Sequence, residues 1–591
     1  MKKILFFSAA FLIAKVASAA LVWNGKCELW TSGKGTQAEP YMLEKPQHLA
    51  YLSQQVANGS EMYEDVWFMQ IEDFDMGGDI GWMFTPIGTD NSHPFKGHFD
   101  GNGRTISNIQ ITYANNIQYC ALFGYAIGST IQNITIESIS FAASDISHVA
   151  ALVAYLENGS VRNCTNNSDF AANANCVAGL VAVAGKCDFN NCMNRGTITA
   201  SNISYLGGLI GSASSSTINN CVNEGSIIST TDNGINYVGG VCGEGTSLNI
   251  ATSHNKGDIQ YTCTNPKEYY SFSGYGTSIF YYYYSYIGGL VGGSSASSEP
   301  TIIASCAYNE GNISLYSAAP TFYCGGLCGE SGSESSFTRC YNIGSITSSK
   351  GTMYIAGLSF GYGTFTECYN RGSIIKATES CGLAKSGTLI SCYAVCNLLN
   401  GTYNYGIAKN GTIKHCYYAG SMSGSYRYAI AQSCTYENNY YLAGNYAGKS
   451  SESNPNGTLF GQSLSMALMK AVSFPMSLNH NEDEVFIMDE NNINDGYPIL
   501  VWQLEGVSKF TVTLSCDEAF GFVSGAGTYD KDEIITISAT ANEGYAFDCW
   551  SDGSTANPRE IIMDSNKNLT ANFVKMVYTI DINQNCTITI E

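Results

Sequence analysis

One short phrase returns along most of this chain. It reads "YCALFG" at Tyr119, "VAALVA" at Val149, "VAGLVA" at Val177, "LGGLIG" at Leu206, "VGGVCG" at Val238, "IGGLVG" at Ile287, "CGGLCG" at Cys324 and "IAGLSF" at Ile355. Degenerate copies follow as "SCGLAK" at Ser380, "YGIAKN" at Tyr405 and "YAIAQS" at Tyr428. Most starts lie 23 to 32 residues apart, with longer gaps after Val238 and Ile287. A unit this short cannot bury its own apolar face and must stack on its neighbours. Inside each period, β-rich runs alternate with Gly, Ser and Asn clusters, without helical periodicity. The repeat therefore predicts an all-β fold: a right-handed parallel β-helix of about ten coils, one repeat to a coil.

A second pattern sits downstream of each glycine box, an Asn-x-Gly corner. Its asparagines are Asn194, Asn223, Asn255, Asn309, Asn342 and Asn370. In stacked coils these side chains lie about 4.8 Å apart and are expected to hydrogen-bond as a ladder. The glycine two residues on is expected to supply positive φ. Two residues before each Asn is a slot expected to be small and apolar: Cys164, Cys192, Cys221, Ser253, Ala307, Cys340 and Cys368, continued by Cys392 and Cys416. Cys306 misses the slot by one, which a bulge would explain. In-register parallel side chains suit disulfide geometry badly, so free thiols are expected; a Cys187–Cys192 pair stays open. The corner's middle residue alternates in charge as Arg195, Glu224, Lys256 and Glu310, as neighbouring coils require.

The ends differ from the middle. "MKK", an apolar "ILFFSAAFLIA" and "ASA" ending at Ala19 read as a secretory signal peptide, residues 1–19. No later apolar run is long enough to span a bilayer, so no transmembrane segment is expected beyond it. Residues 20–117 read as an N-terminal cap region and 118–505 as the solenoid with its terminal cap. Residues 506–575 read as a separate small β module, and 576–591 as the start of a further repeat. The formal charge of −21 argues against nucleic acid and anionic lipid as partners.

The boxes "GGLIG" and "GGLVG", followed by "INNCVNEGSI" or "FTRCYNIGSI", resemble the GLUG repeats of secreted bacterial surface proteins. The segment "SGAGTYDKDEIITISATANEGYAFDCWSDGSTANPREIIMDSNKNLTANF" resembles the divergent internalin B-type repeat, also called the bacterial repeat domain. The resemblance implies an exported bacterial protein, secreted or at the cell surface and adhesin-like. It brings no catalytic residue.

Nothing else in the chain spells out catalysis. The acids Asp169, Asp188, Glu224, Asp258 and Glu310 occupy different slots or lie two coils apart, so no acid/base pair or Ca²⁺ site is read from them. HExxH is absent. His93 and His98 flank "PFKG" without a cysteine or carboxylate at ligand spacing. No metal, cofactor or catalytic residue is therefore expected. The insertion Cys263–Tyr286 stands out, with Tyr269, Tyr270, Tyr275, Tyr281, Tyr282, Tyr283, Tyr284 and Tyr286. Tyr offers wide apolar area and a hydroxyl, which suits recognition; packing on the solenoid wall is the plainer reading. The chain as a whole reads as a non-catalytic adhesin or interaction protein for host or environmental glycans or surface proteins. A carbohydrate-active β-helix enzyme and a passive surface spacer are the alternatives.

Overall fold

The computed structural model describes residues 20–576, apart from 60–62, 112–117, 142–145, 233–235, 265–270, 274–275, 279–283, 295–300, 318–320, 350–351, 445–459, 480–483, 490–491, 506–508, 531–532 and 564–566. The signal-peptide reading and the start of a further repeat thus fall outside the described residues, save Met576. The chain divides into two compact units, one ending at Pro498 and the other beginning at Ile499.

The first unit is a parallel β-helix with three faces. Along the first face every step is parallel, from Tyr41–Leu43 through Trp67–Gln70, His98–Ser107 and Thr130–Ile136 to Ser160–Arg162. The same ladder continues coil by coil through Asp188–Asn190, Thr217–Asn219, Leu248–Ala251 and Ile302–Ser305 to Ser433–Glu437. Strands Tyr41–Leu43, Trp67–Gln70 and His98–Ser107, within the region 20–117 read from sequence as a cap, therefore join the stack, while the helix Pro46–Ala57 buries Leu49, Leu52 and Val56. The second face divides in two and rejoins. Phe170–Ala178 pairs with both Ile198–Ser201 and Tyr205–Gly207, and Leu398–Tyr405 with both Ile374–Ile375 and Glu379–Cys381. The third face stacks Phe123–Ile127, Val153–Glu157, Val181–Gly185, Ile210–Ser214, Cys242–Thr246 and Val291–Gly293.

The core is a set of columns. Ile131, Val161, Phe189, Ile218, Ile250, Ala304, Phe337, Phe365, Leu389 and Ile413 occupy one interior line, each almost fully buried. Each large member contributes about 1.5–3 kcal/mol by leaving water. Beside it runs a polar column. Asn223 Nδ2 donates to Asn255 Oδ1 at 2.7 Å and to the Gly225 carbonyl at 2.8 Å. The same pair of bonds recurs at Asn194, Asn255, Asn309 and Asn342. Asn166 adds a rung upstream without an Asn-x-Gly signature, donating to Asn194 Oδ1 at 2.7 Å. Asn370 ends the run, donating to the Gly372 and Gly382 carbonyls. All seven side chains are fully buried. Buried amides in such chains gain strength from one another, and a missing rung leaves two partners unsatisfied.

Three expectations for the corner are corrected. The Asn-x-Gly glycines Gly196, Gly225, Gly257, Gly311, Gly344 and Gly372 do not adopt positive φ. They are required by close approach instead: a Cβ on Gly225 would lie 2.0 Å from the Gly196 carbonyl oxygen. The left-handed conformation falls on the residue before each cysteine slot, Asn163, Asn191, Asn220, Thr252, Cys306, Arg339, Glu367, Ser391, His415 and Asn438. Cys306 is thus an ordinary exposed member of that column, not a bulge.

The slot itself is not simply apolar. The left-handed residue turns the next backbone N–H away from the ladder, and the slot side chain of the following coil accepts from it. Cys192 N–H donates to Cys221 Sγ at 3.4 Å, and Cys221 N–H to Ser253 Oγ at 3.0 Å. The same bond joins Cys340 to Cys368, Cys368 to Cys392, Cys392 to Cys416 and Cys416 to Asn439 Oδ1. Cys, Ser and Asn share a side-chain acceptor, which suits them to this slot; Ala307, at the same slot, supplies none. Cys187 Sγ donates to the Leu156 and Gly185 carbonyls and Cys192 Sγ to those of Val161 and Asn190.

A column of aromatic rings runs beside the Asn ladder, one residue before it in each coil. His254, Tyr308, Tyr341, Tyr369, Tyr393 and Tyr417 stack with centroids 4.2–5.1 Å apart and planes within 9°. Phe474 and Phe486 meet Tyr417 edge-on, and Asn494 Nδ2 donates to its hydroxyl at 2.8 Å, closing the end of the stack.

The second unit is a small β module of strands from Lys509–Cys516 to Lys567–Lys575. Trp550, fully buried, sits among Val512, Ile537, Ile561, Met563 and Leu569. Its indole N–H donates to the Ala556 carbonyl at 3.0 Å, so the ring is buried with its polar atom satisfied.

Candidate binding surfaces

Of the tyrosines singled out in the insertion, Tyr269, Tyr270, Tyr275, Tyr281, Tyr282 and Tyr283 lie outside the described residues. The backbone between them forms an antiparallel pair, Ser271–Ser273 with Gly276–Ser278. Tyr286 stands in a column on the solenoid wall, stacked on Tyr237 at 5.1 Å and on Tyr323 at 5.5 Å. Tyr205 and Tyr354 extend the column on either side. Burial, then the Glu330 carboxylate nearby, pushes the Tyr286 phenol upward, and burial, then the neighbouring Tyr284 and Tyr354 phenols, does the same to Tyr323. Tyr284 packs tilted against Tyr323 at 5.3 Å. Both faces of the Tyr286 ring are covered by neighbouring coils, so it presents an edge and a hydroxyl, not a platform.

A different surface is open. On the first face, strands alternate inward and outward, so each coil exposes two side chains flanking one buried residue. Four successive coils build an open groove of about 710 Å³ from them. One rail carries Asp188, Thr217 and Asn249, and the other Arg162, Asn190, Asn219 and Ala251. The floor is the backbone at Phe189 and Ile218, whose side chains point into the core.

The groove's edge is braced by an exposed amide ladder. Asn220 Nδ2 donates to Asn191 Oδ1, Asn191 to Asn163 and Asn163 to Asn133, at 2.8–3.2 Å. Asn133 Nδ2 in turn donates to Asp100 Oδ1 at 2.9 Å. Each of these asparagines is left-handed, which Asn tolerates better than most residues. The exposed ladder donates toward the chain's start and the buried one toward its end. On the rails, Thr217 donates to Asp188, and Thr252 Oγ1 to Asn219 Oδ1 at 3.0 Å. The side-chain donors of Arg162, Asn190 and Asn249 meet no protein partner among the described residues.

The groove escaped the sequence reading because its residues come from lines 28 to 32 residues apart, each an unremarkable strand Asn, Thr or Asp. The charged corner residues do pair: Arg195 Nε lies 3.2 Å from Glu224 and Lys256 Nζ 3.9 Å from it. Among the described residues, no acid faces an acid across an in-register strand pair. Asp188 is flanked by Ser160 and Thr217, Glu244 by Ser212 and Gly293, and Glu379 by Tyr354 and Tyr403. Cys thiols such as Cys164, Cys242, Cys368 and Cys381 are held well above their ordinary range by burial, the opposite of a nucleophile's environment. His93 contacts Asp90, and His98 stacks on Trp67 at 4.6 Å.

Two curated relatives match short segments. Halomucin of Haloquadratum walsbyi is 27% identical over 157 residues, which cover 26% of this chain and 2% of that protein. A protein of Evansella cellulosilytica named "Putative Gly-rich membrane protein" is 28% identical over 193 residues, 31% of this chain and 17% of that protein. This chain therefore spans only a small part of either relative's length. A solved structure from Bacteroides ovatus, titled as a "putative immunoglobulin A1 protease", aligns with 55% of this chain and 80% of its own. The identity there is 16% and the TM-score 0.33. Among the described residues no helix is long and apolar enough to cross a membrane. Residues 511–577 match the divergent InlB B-repeat family, so the second unit carries a repeat domain of that kind.

Proposed function

We propose that this chain is a non-catalytic extracellular or cell-surface protein that binds glycans or surface proteins through the outside of its solenoid. The observation that carries the reading is the open groove between Arg162 and Ala251. Its walls are amides, hydroxyls and one opposite-charge pair of residues, with free donors at Arg162, Asn190 and Asn249. Such a surface matches the hydroxyls of a sugar or the polar backbone of a peptide loop, and a shallow open site needs no catalytic group to hold either. The InlB-type repeat, the membrane-protein name of one relative and the signal-peptide reading of residues 1–19 support a place outside the cytoplasm.

The test is a glycan and surface-protein array probed with the full secreted chain, together with cell fractionation. Specific retention on the array and recovery in the surface or medium fraction are expected. A cytoplasmic location, or an array without specific signal, would contradict the reading.

A further inference from the structure

The groove has a direction, and the direction selects a ligand. Across the face it is narrow: each strand contributes three residues between corners, as in Thr217–Asn219. Along the solenoid axis it crosses four coils, about 14 Å from the Arg162 coil to the Ala251 coil at about 4.8 Å per step. Beyond the last coil the Asp188–Thr217–Asn249 rail continues with Ile303, an exposed apolar side chain that interrupts the polar lining. Before the first coil, Gln132 Nε2 donates to Asp100 Oδ2 at 2.8 Å, which ties its amide to the preceding rung. The free donors of Arg162, Asn190 and Asn249 thus lie within these four coils, on the first, second and fourth.

We infer that this groove binds a linear, uncharged oligosaccharide lying parallel to the solenoid axis, one sugar residue per coil and four residues in all. The inference rests on the glycan-binding reading proposed above and names the ligand class of that site. The coil step is close to the length of one pyranose in an extended chain, so hydroxyls on successive sugars meet equivalent positions on successive coils. Asn190 and Asn249 donate from opposite rails, and Arg162 donates at the first subsite. Asp188 accepts, with its other neighbour Thr217 already bonded to it. Arg162 and Asp188 cancel in charge, and the chain's −21 disfavours a polyanion, which leaves a neutral glycan as the fitting class. A peptide strand is less well served: every strand on this face is already paired on both sides, so no backbone edge is offered for β-addition.

The experiment is calorimetric titration of the full chain with β-1,4-linked gluco-, manno- and xylo-oligosaccharides of two to six residues. Affinity for at least one series is expected to rise with each residue up to four and then level. Asn190→Ala combined with Asn249→Ala is expected to weaken the four-residue probe at least tenfold with an unchanged melting temperature, since both side chains are exposed. Ala251→Trp, which fills the groove, is expected to shorten the length dependence to three residues. Binding that ignores length, or that survives both variants at full strength, overturns the groove assignment. A chain that is retained on other glycans of the array but by none of these series overturns the inference and spares the broader reading. A chain retained by no glycan or surface protein overturns both.

Discussion

Asn223 and Asn255, 32 residues apart in sequence, are joined by a 2.7 Å amide–amide hydrogen bond inside the core, and the same nitrogen holds the Gly225 carbonyl. The side-chain contacts of the ladder and of the cysteine slot share this character: one position, repeated by the next coil, with the side chain bridging the step. Replacing Asn223 by Ala removes the donor to Asn255 and to Gly225 and the acceptor for Asn194. The expected loss is about 2–4 kcal/mol, since each buried group left unpaired costs about 1–3 kcal/mol. Chemical denaturation of the full chain measures it. Asn220→Gly, in the exposed ladder and at a positive φ that Gly accepts, is the control and is expected to cost less than about 1 kcal/mol, because water replaces its partners.

The glycines at the corner make a sharper test of how the coils approach. Gly225→Ala places a Cβ 2.0 Å from the Gly196 oxygen, so the coils must separate. A loss of several kcal/mol, about 3 or more, is expected. Gly185, at an ordinary φ with its nearest neighbour 3.7 Å from a Cβ, accepts Ala with little change. Equal melting temperatures for the two variants would contradict the close-approach account.

These two corners also mark where the sequence could and could not be read. The glycine box and its spacing report coils directly, because a stacked unit must repeat its small residues. What a repeated glycine is for is not written beside it: the same letter serves positive φ in one corner and close approach in another, and only the carbonyl of the neighbouring coil decides. The cysteine slot misled in the same way, since Cys reads as a hydrophobe until Ser253 and Asn439 appear in its column accepting the same N–H. The groove was invisible because Asn190, Asn219 and Asn249 become neighbours only after the coils stack.

That acceptor role predicts an asymmetry at Cys221. Cys221→Ser keeps an acceptor for the Cys192 N–H and is expected to change stability by less than about 1 kcal/mol; Cys221→Ala orphans that N–H and is expected to cost about 1–3 kcal/mol. In native labelling, Cys27 and Cys306, which are exposed, react first with a thiol reagent, and Cys164, Cys368 and Cys416 react only after unfolding. Mass spectrometry of the labelled peptides reads the order.

Lys409 offers a pH test. Its ammonium lies 2.8 Å from the Glu379 carboxylate, which is almost buried. Burial alone would lower the Lys409 pKa, but the hydrogen bond and charge of Glu379 outweigh it and the net shift is upward. A group raised on folding stabilises below its unfolded pKa and loses that contribution as pH climbs through the folded one. Lys409→Met is therefore expected to cost about 2 kcal/mol near neutrality, less than a fully buried pair because Lys409 is one-third exposed. The gap to wild type should narrow in strongly alkaline buffer. A gap that widens with pH would contradict the pairing.

The central claim is that this solenoid holds a ligand without changing it. The most direct measurement incubates the full chain with the best-bound glycan of the array, separates the complex by size exclusion, and weighs the recovered glycan by mass spectrometry. Retention with a glycan of unchanged length and unaltered ends is the predicted result. A recovered chain that is shorter, or that carries an unsaturated end, would contradict it and make the protein an enzyme.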